Sequence, residues 1–133
     1  MGLLDGKYGI VTGAAQGFGL ASAKRLAEEG AAVALVDIQA DKVNAAAETL
    51  VSQDLNVIAV EADVSDENAT IRMLDEAEQA FGKLNFIHQN AAIQVEKILH
   101  ETTLDEWDRL MAVNLRSMFL GAKHILPLSL IHI

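Results

Sequence analysis

The stretch "TGAAQGFG", Thr12 to Gly19, places Gly13, Gly17 and Gly19 between an apolar run and a run of good helix formers. Glycine is needed where backbone must approach another group closely or where φ turns positive. A helix opening directly after such a loop presents unpaired leading N–H groups and the positive end of its dipole, a ready-made anion site. Whether that anion is a nucleotide phosphate depends on what the rest of the chain builds around the loop.

Four short runs rich in aliphatic and β-branched residues, "YGIVT", "AAVALVD", "NVIAVEAD" and "LNFIHQNA", are each followed by a helix-like segment. That alternation is the mark of parallel βαβ units and predicts a doubly wound α/β sheet. The first helix is expected from about Gly17 to Glu29, with Leu20, Ala23 and Ala27 on one face and Gly30 as its stop. The second runs from near Asp41 to about Ser52 and carries Val43, Ala46, Ala47 and Leu50. The third follows Ser65, read as its N-cap, and reaches about Phe81 with Ile71, Leu74 and Ala77 as its buried stripe. Thr103 and Glu106 have the spacing of a capping box and open the fourth, whose apolar stripe is Trp107, Met111, Leu115, Met118 and Ala122. Asn114 lies on that stripe or at its border, where a buried amide without partners costs about 1–3 kcal/mol.

The totals narrow the function classes. The 133 residues fit one domain, residues 1–133, with no linker, repeat or low-complexity tract. Nineteen acidic residues against ten basic ones leave a net charge of -9 with no Lys/Arg cluster, which argues against nucleic acid as a partner. The absence of cysteine excludes disulfides, thiolate metal sites and a cysteine nucleophile. His100, His124 and His132 have no acidic grouping at ligand spacing, so no metal site is expected. The N-terminus "MGLLDGKYG" lacks a secretory apolar core, and "HILPLSLIHI" is too short to span a bilayer and contains a proline. A soluble, cytoplasmic protein without membrane association is the expectation.

Asp37 ends the second strand about 20 residues past the glycine loop, where an acidic residue accepts hydrogen bonds from an adenosine ribose. Strand, glycine loop, helix, strand and acid in this order describe a Rossmann-like nucleotide site. Two rivals fit worse. A P-loop ends in Gly-Lys-Ser/Thr, whereas Leu20 and Ala21 follow Gly19. A methyltransferase using S-adenosylmethionine shares the ribose acid but carries an acid where Thr12 precedes Gly13.

Taken together these motifs resemble the short-chain dehydrogenase/reductase family, classical type, in its N-terminal half. The marks are "TGAAQGFG" for its Thr-Gly-x-x-x-Gly-x-Gly loop, "LVDI" for its ribose-binding strand end and "ADV" (Ala62 to Val64) for its adenine-contacting turn. Further on, "LNFIHQNAAI" stands where the family has a strand ending in Asn-Asn-Ala-Gly, and "VNL" carries Asn114 at the family's helix asparagine. The resemblance runs from about Leu3 to Pro127. It implies a Rossmann-like sheet of about four strands in the order 3-2-1-4 with about four helices, truncated from a larger parent.

Residue by residue, the resemblance implies that Gly13, Gln16, Gly17, Phe18 and Gly19 surround a pyrophosphate and its approach. Asp37 and Ile38 would hold the adenosine ribose, Asp63 and Val64 would flank the adenine, and Asn90, Ala91 and Ala92 would line the path to the nicotinamide ribose. Asn114 is the implied catalytic-site residue, distorting its helix so that a main-chain carbonyl holds a relay water. A carboxylate at Asp37 accepts from a free 2'-hydroxyl and repels a 2'-phosphate, and no Arg or Lys follows directly after Ile38, so NAD is expected over NADP. Gln89 and Ala92 depart from the family's first Asn and its Gly, and the resemblance gives His88 no role.

The family delivers its proton with a Ser and a Tyr-x-x-x-Lys pair, in which the lysine charge lowers the tyrosine pKa. Tyr8 is the one tyrosine here, and Thr12 stands four residues after it. The expectation is therefore a cofactor-binding fragment of an NAD-dependent oxidoreductase acting on a secondary alcohol or ketone, inactive alone. Residues 128–133 read as a candidate non-native tail. A natural short protein stays open as the alternative, as does a non-catalytic NAD or adenine-nucleotide module. With the rest of the parent missing, the last helix and the outer sheet edge are expected to favour self-association.

Overall fold

The computed structural model describes residues 2–131, and side chains through Leu128; Met1, His132 and Ile133, and with them the end of the 128–133 tail, lie outside the described residues. The element order is β1 (Tyr8–Thr12), α1 (Gly17–Glu28), β2 (Ala32–Asp37), α2 (Ala40–Val51), β3 (Val57–Glu61), α3 (Glu67–Phe81) and β4 (Phe86–His88). A short 3₁₀ turn (Leu99–Glu101) precedes one continuous final helix, made of α4 (Leu104–Met111), a π-helical stretch (Ala112–Arg116) and α5 (Ser117–Ile131). The four strands are parallel and ordered β3-β2-β1-β4, as the family resemblance implies.

The period-2 alternation of the strands divides the core. Val11, Val33 and Leu35 face α1 and α2, where Ala23, Ala27, Val43, Ala47 and Leu50 meet them. Ile10, Ala34, Val36 and Val60 face the other way, against Met73, Leu74 and Ala77 of α3 and Ile125 of α5. Both faces of the central strands are covered, so they read as continuous apolar runs rather than alternating ones. Each fully buried Val, Ile or Leu contributes about 1.5–3 kcal/mol relative to exposure, which makes these two layers the main support of the fold.

Several local expectations are corrected. The cap of α3 is Asp66, whose carboxylate accepts from the Ala69 N–H at 2.7 Å, and not Ser65. Ser65 is one residue too early and turns instead toward Asp63. Ile71 is only half-buried, and the true inner stripe is Ala69, Thr70, Met73, Leu74 and Ala77. The fourth strand is three residues long, because β1 is its one neighbour and the chain beyond His88 bends toward the glycine loop. On the last helix, Thr103 accepts the Glu106 N–H at 3.1 Å as expected, while the Glu106 carboxylate pairs with Lys97 across the preceding loop at 2.5 Å.

The face of the last helix that packs inward carries Ala112, Val113, Ser117, Leu120 and Ile125. Of the expected stripe, Trp107, Leu115 and Met118 point outward and are each at least half exposed, as is the adjacent Phe119. Among the described residues no helix is long and apolar enough to cross a membrane.

Candidate functional site

In the order 3-2-1-4 the chain leaves β3 and crosses over to β4, so β1 and β4 flank the topological switch point. Open α/β sheets bind their ligands there, beyond the carboxyl ends of the strands. Thr12, the last residue of β1, is 3% exposed and its hydroxyl accepts the N–H groups of both Asn90 and Ala91 at 3.1 Å. Asn90 returns a bond from its side-chain amide to the Gly13 carbonyl at 3.3 Å. These bonds tie the glycine loop to the segment after β4 and leave a cleft beside them.

Within the loop the glycines serve separate needs. Gly13 and Gly17 have φ of 65° and 59°, in the left-handed region. A Cβ on Gly13 would also stand 2.9 Å from the Ala91 Cα, and one on Gly19 would stand 2.1 Å from the Gly13 carbonyl oxygen. The loop thus closes onto its own helix and onto Ala91 with no room for a methyl group.

The start of α1 is electrostatically open. Asp66 caps α3 and Thr103 caps α4, but no side chain caps α1 at Gln16 and no acidic residue lies in its first turn. An anion at this end gains typically 0.3–1 kcal/mol from the helix dipole, up to about 2 when partly buried, besides any direct N–H bonds. This is the observation that fits a pyrophosphate.

The cleft is a cavity of about 290 Å³ whose walls include Gly13, Gln16, Asp37, Ile38, Asp63, Val64, Asn90, Ala91 and Ala92. Nine of the twelve cofactor residues expected from the sequence are thereby brought to one space. Gly17 and Gly19 shape the loop behind it, and Phe18, 89% exposed, lies by a separate shallow depression with His88. His88 itself ends the edge strand and is exposed.

Asp37 does more than end its strand. One carboxylate oxygen accepts the Ala15 N–H at 3.2 Å and the other accepts the Gln39 N–H at 3.0 Å, so it braces the glycine loop and the start of α2 together. Asp63 is held more tightly. Its Oδ1 accepts both the N–H of Ser65 at 2.9 Å and the hydroxyl of Ser65 at 2.6 Å, and Arg109 reaches Oδ2 at 3.4 Å. Partial burial pushes its pKa up, but the Ser65 bonds and the Arg109 charge more than offset that, leaving it below the ordinary aspartate value.

Asn114 sits within the π-helical stretch. Its side chain bonds both main-chain groups of Ile93, accepting the N–H and donating to the carbonyl, each at 2.9 Å. Asn114 thus satisfies the backbone of Ile93 in the loop after β4, and the helix around it runs with the i→i+5 bonds of a π-helix. Gln89, which departs from the family pattern, donates to the Met118 carbonyl at 3.3 Å and packs against Gly121, fixing β4 to α5. Tyr8 begins β1 and so stands about 13 Å from the loop end of that strand, at ~3.3 Å per residue.

Sequence reasoning did not single out Thr12 or Arg109. A buried hydroxyl at a strand end gives no periodic signal, and Arg109 meets Asp63 only through the crossover of the fold.

Geometry and motifs define a Rossmann-like α/β protein with a cleft at the switch point of its sheet. The short chain dehydrogenase family model matches residues 7–131, and the chain belongs to that family. It is 39% identical over 120 residues to an NADP-dependent (R)-specific alcohol dehydrogenase of Lentilactobacillus kefiri, covering 90% of this chain and 47% of that one. It is 33% identical over 123 residues to meso-2,3-butanediol dehydrogenase of Serratia marcescens, covering 92% and 48%. A short chain dehydrogenase/reductase from Burkholderia phymatum, solved in complex with NAD, superposes with a TM-score of 0.94 at 30% identity, covering 99% of this chain and 47% of that one. The chain thus spans about half the length of the relatives it matches, and those relatives include both an NAD complex and an NADP-dependent enzyme.

Proposed function

We propose that this chain is the cofactor-holding half of an NAD-dependent oxidoreductase acting on a secondary alcohol or ketone, an incomplete Rossmann domain that does not turn over substrate alone. The observation that carries the cofactor reading is the Asp37 carboxylate, fixed by two backbone N–H groups at the cavity wall beside an uncapped helix start. A fixed carboxylate there favours a ribose with free hydroxyls over one bearing a 2'-phosphate. Arg109, the basic residue of the cavity wall, is occupied by Asp63 and Ser65.

In this reading the α1 N-terminus binds the pyrophosphate, Asp37 and Ile38 the ribose, Asp63 and Val64 the adenine, and Asn90 to Ala92 the approach to the nicotinamide. A bound nicotinamide would supply hydride transfer. The π-helical turn at Asn114 frees main-chain carbonyls from the regular ladder, which suits the holding of a relay water. A Tyr-x-x-x-Lys pair, which together with a serine would feed that relay, does not occur among these 133 residues. Proton transfer by a positioned group is typically worth about 10²–10⁴-fold, so negligible turnover is expected.

The exposed apolar stripe of the last helix, with the free outer edge of β4, supports self-association as a further part of the proposal.

Titration calorimetry with NAD, NADP and AMP tests the cofactor reading. Binding of NAD and AMP, with NADP weaker by tenfold or more and the difference shrinking in Asp37→Asn, supports it. No heat with any of the three would refute it. NADH oxidation with a panel of ketones tests the rest, and a rate well above buffer from pure protein would overturn the claim of inactivity.

A further inference from the structure

Arg109 lies in the last turn of α4, five residues before Asn114, yet its guanidinium reaches back across the fold to the turn after β3. One nitrogen donates to the Ser65 hydroxyl at 2.9 Å and stands 3.4 Å from the Asp63 Oδ2. That hydroxyl in turn donates to the Asp63 Oδ1. The result is a closed ring of carboxylate, hydroxyl and guanidinium, with a backbone N–H of Ser65 as a further donor to Oδ1.

The two carboxylate oxygens are unequally used. Oδ1 takes two short bonds from Ser65, whereas Oδ2 has one long contact to Arg109 and keeps acceptor capacity. Asp63 and Arg109 both line the cavity. Ser65 anchors one oxygen of the Asp63 carboxylate, and because χ2 is broad for aspartate the Arg109 contacts to Oδ2 and to the Ser65 hydroxyl narrow the range left to the second oxygen. Held by the ring, it presents an acceptor that suits an exocyclic N–H₂ and repels a carbonyl oxygen.

We propose that Arg109 is a positioning residue that holds the Asp63 carboxylate toward the 6-amino group of an adenine, so that α4 sets the purine specificity of the cavity. The inference rests on the nucleotide reading of the cavity given above. It extends the adenine site from one turn after β3 to a helix remote in sequence.

The probes are NAD and its hypoxanthine analogue, in which a carbonyl replaces the 6-amino group, titrated against the 133-residue chain and against Arg109→Met, Arg109→Lys, Asp63→Asn and the Arg109→Met/Asp63→Asn double variant. Arg109 is about half exposed, so its replacement is tolerated by the fold. Wild type should prefer NAD. Arg109→Met should lower the NAD preference by about 3- to 10-fold, the equivalent of one net hydrogen bond. Asp63→Asn should lower it at least as much, the double variant no further than Asp63→Asn alone, and Arg109→Lys should restore part of it.

A preference unchanged in Arg109→Met but reduced in Asp63→Asn overturns the role of Arg109 while leaving the cavity reading intact. Equal loss of affinity for both dinucleotides in Arg109→Met means a general structural role and overturns it as well. A wild-type chain that binds neither dinucleotide refutes the cavity reading and this inference together.

Discussion

Replacing Gly19 by alanine tests the account of the loop through the sign of its effect. Gly19 is a buried residue in the first turn of α1, and by helix propensity alone alanine would stabilise a helix by about 1 kcal/mol. The tertiary surroundings argue the reverse. A Cβ there would stand 2.1 Å from the Gly13 oxygen and 2.5 Å from the Asn90 amide nitrogen. An ordinary C···O approach is about 3.3 Å, so the Gly13 carbonyl must retreat by about 1 Å. That carbonyl is main chain, and Gly13 is itself confined against Ala91. Overpacking costs typically 1–3 kcal/mol, and loss of the Asn90 bond to Gly13 adds about 0.5–1.5, so a net destabilisation of about 1–3 kcal/mol should remain after the propensity gain. For a chain of this length that is a fall in Tm of about 4–12 °C. Gly17→Ala is the matched control: φ is 59° but nothing lies within 4 Å of the added Cβ, so strain of about 1–2 kcal/mol is its whole cost. Circular dichroism melts of the three proteins decide the matter. A Gly19→Ala protein as stable as wild type, or more so, would show that the loop does not close on α1 as described.

Asn114→Ala should leave both main-chain groups of Ile93 without their partner and cost about 1–3 kcal/mol, with faster amide exchange at Ile93 as the local readout. Asp63 is predicted to add an acid-sensitive component to stability. Its folded pKa lies below the unfolded value, so the contribution is complete above about pH 4 and disappears as pH falls through the folded pKa. Denaturant titrations of wild type and Asp63→Asn should therefore diverge at neutral pH and converge in acid, and curves that stay parallel throughout would contradict this. Phe119→Glu, at an exposed point of the last helix, should shift light-scattering mass toward the monomer at equal concentration; an unchanged mass distribution would remove that face as the site of association.

The sheet was legible in the sequence because a parallel strand buried on both sides must be a continuous apolar run, and Ala32–Asp37 or Tyr8–Thr12 can scarcely be anything else. Gly13, Gly17 and Asp37 could be read as candidates for a related reason: loop chemistry and strand ends come at fixed intervals along the chain, whereas Asp63 was picked out only by the family resemblance. Boundaries read less well. Ser65 and Asp66 are both good caps, and only the direction of the chain after β3 decided that Asp66 takes the role while Ser65 serves Asp63. The apolar stripe of the last helix was visible by its period, but period does not say which side faces the sheet. Small residues, Ala112, Ser117 and Gly121, turned out to face inward because the helix packs closely there.

By itself the sequence determined the order of strands and helices, the glycine turn and the acids at the strand ends, since each depends on neighbours a few residues away. Tertiary structure alone decided that Thr12 binds the backbone at Asn90 and Ala91, that Asn114 binds Ile93, and that Arg109 closes on Asp63 and Ser65. Those bonds join segments separated by 21 to 79 residues. The Thr12 bonds exist only once the crossover from β3 to β4 has folded the chain back on β1, and the Asn114 and Arg109 bonds only once the last helix packs back on the loops after β4 and β3; no local pattern encodes them.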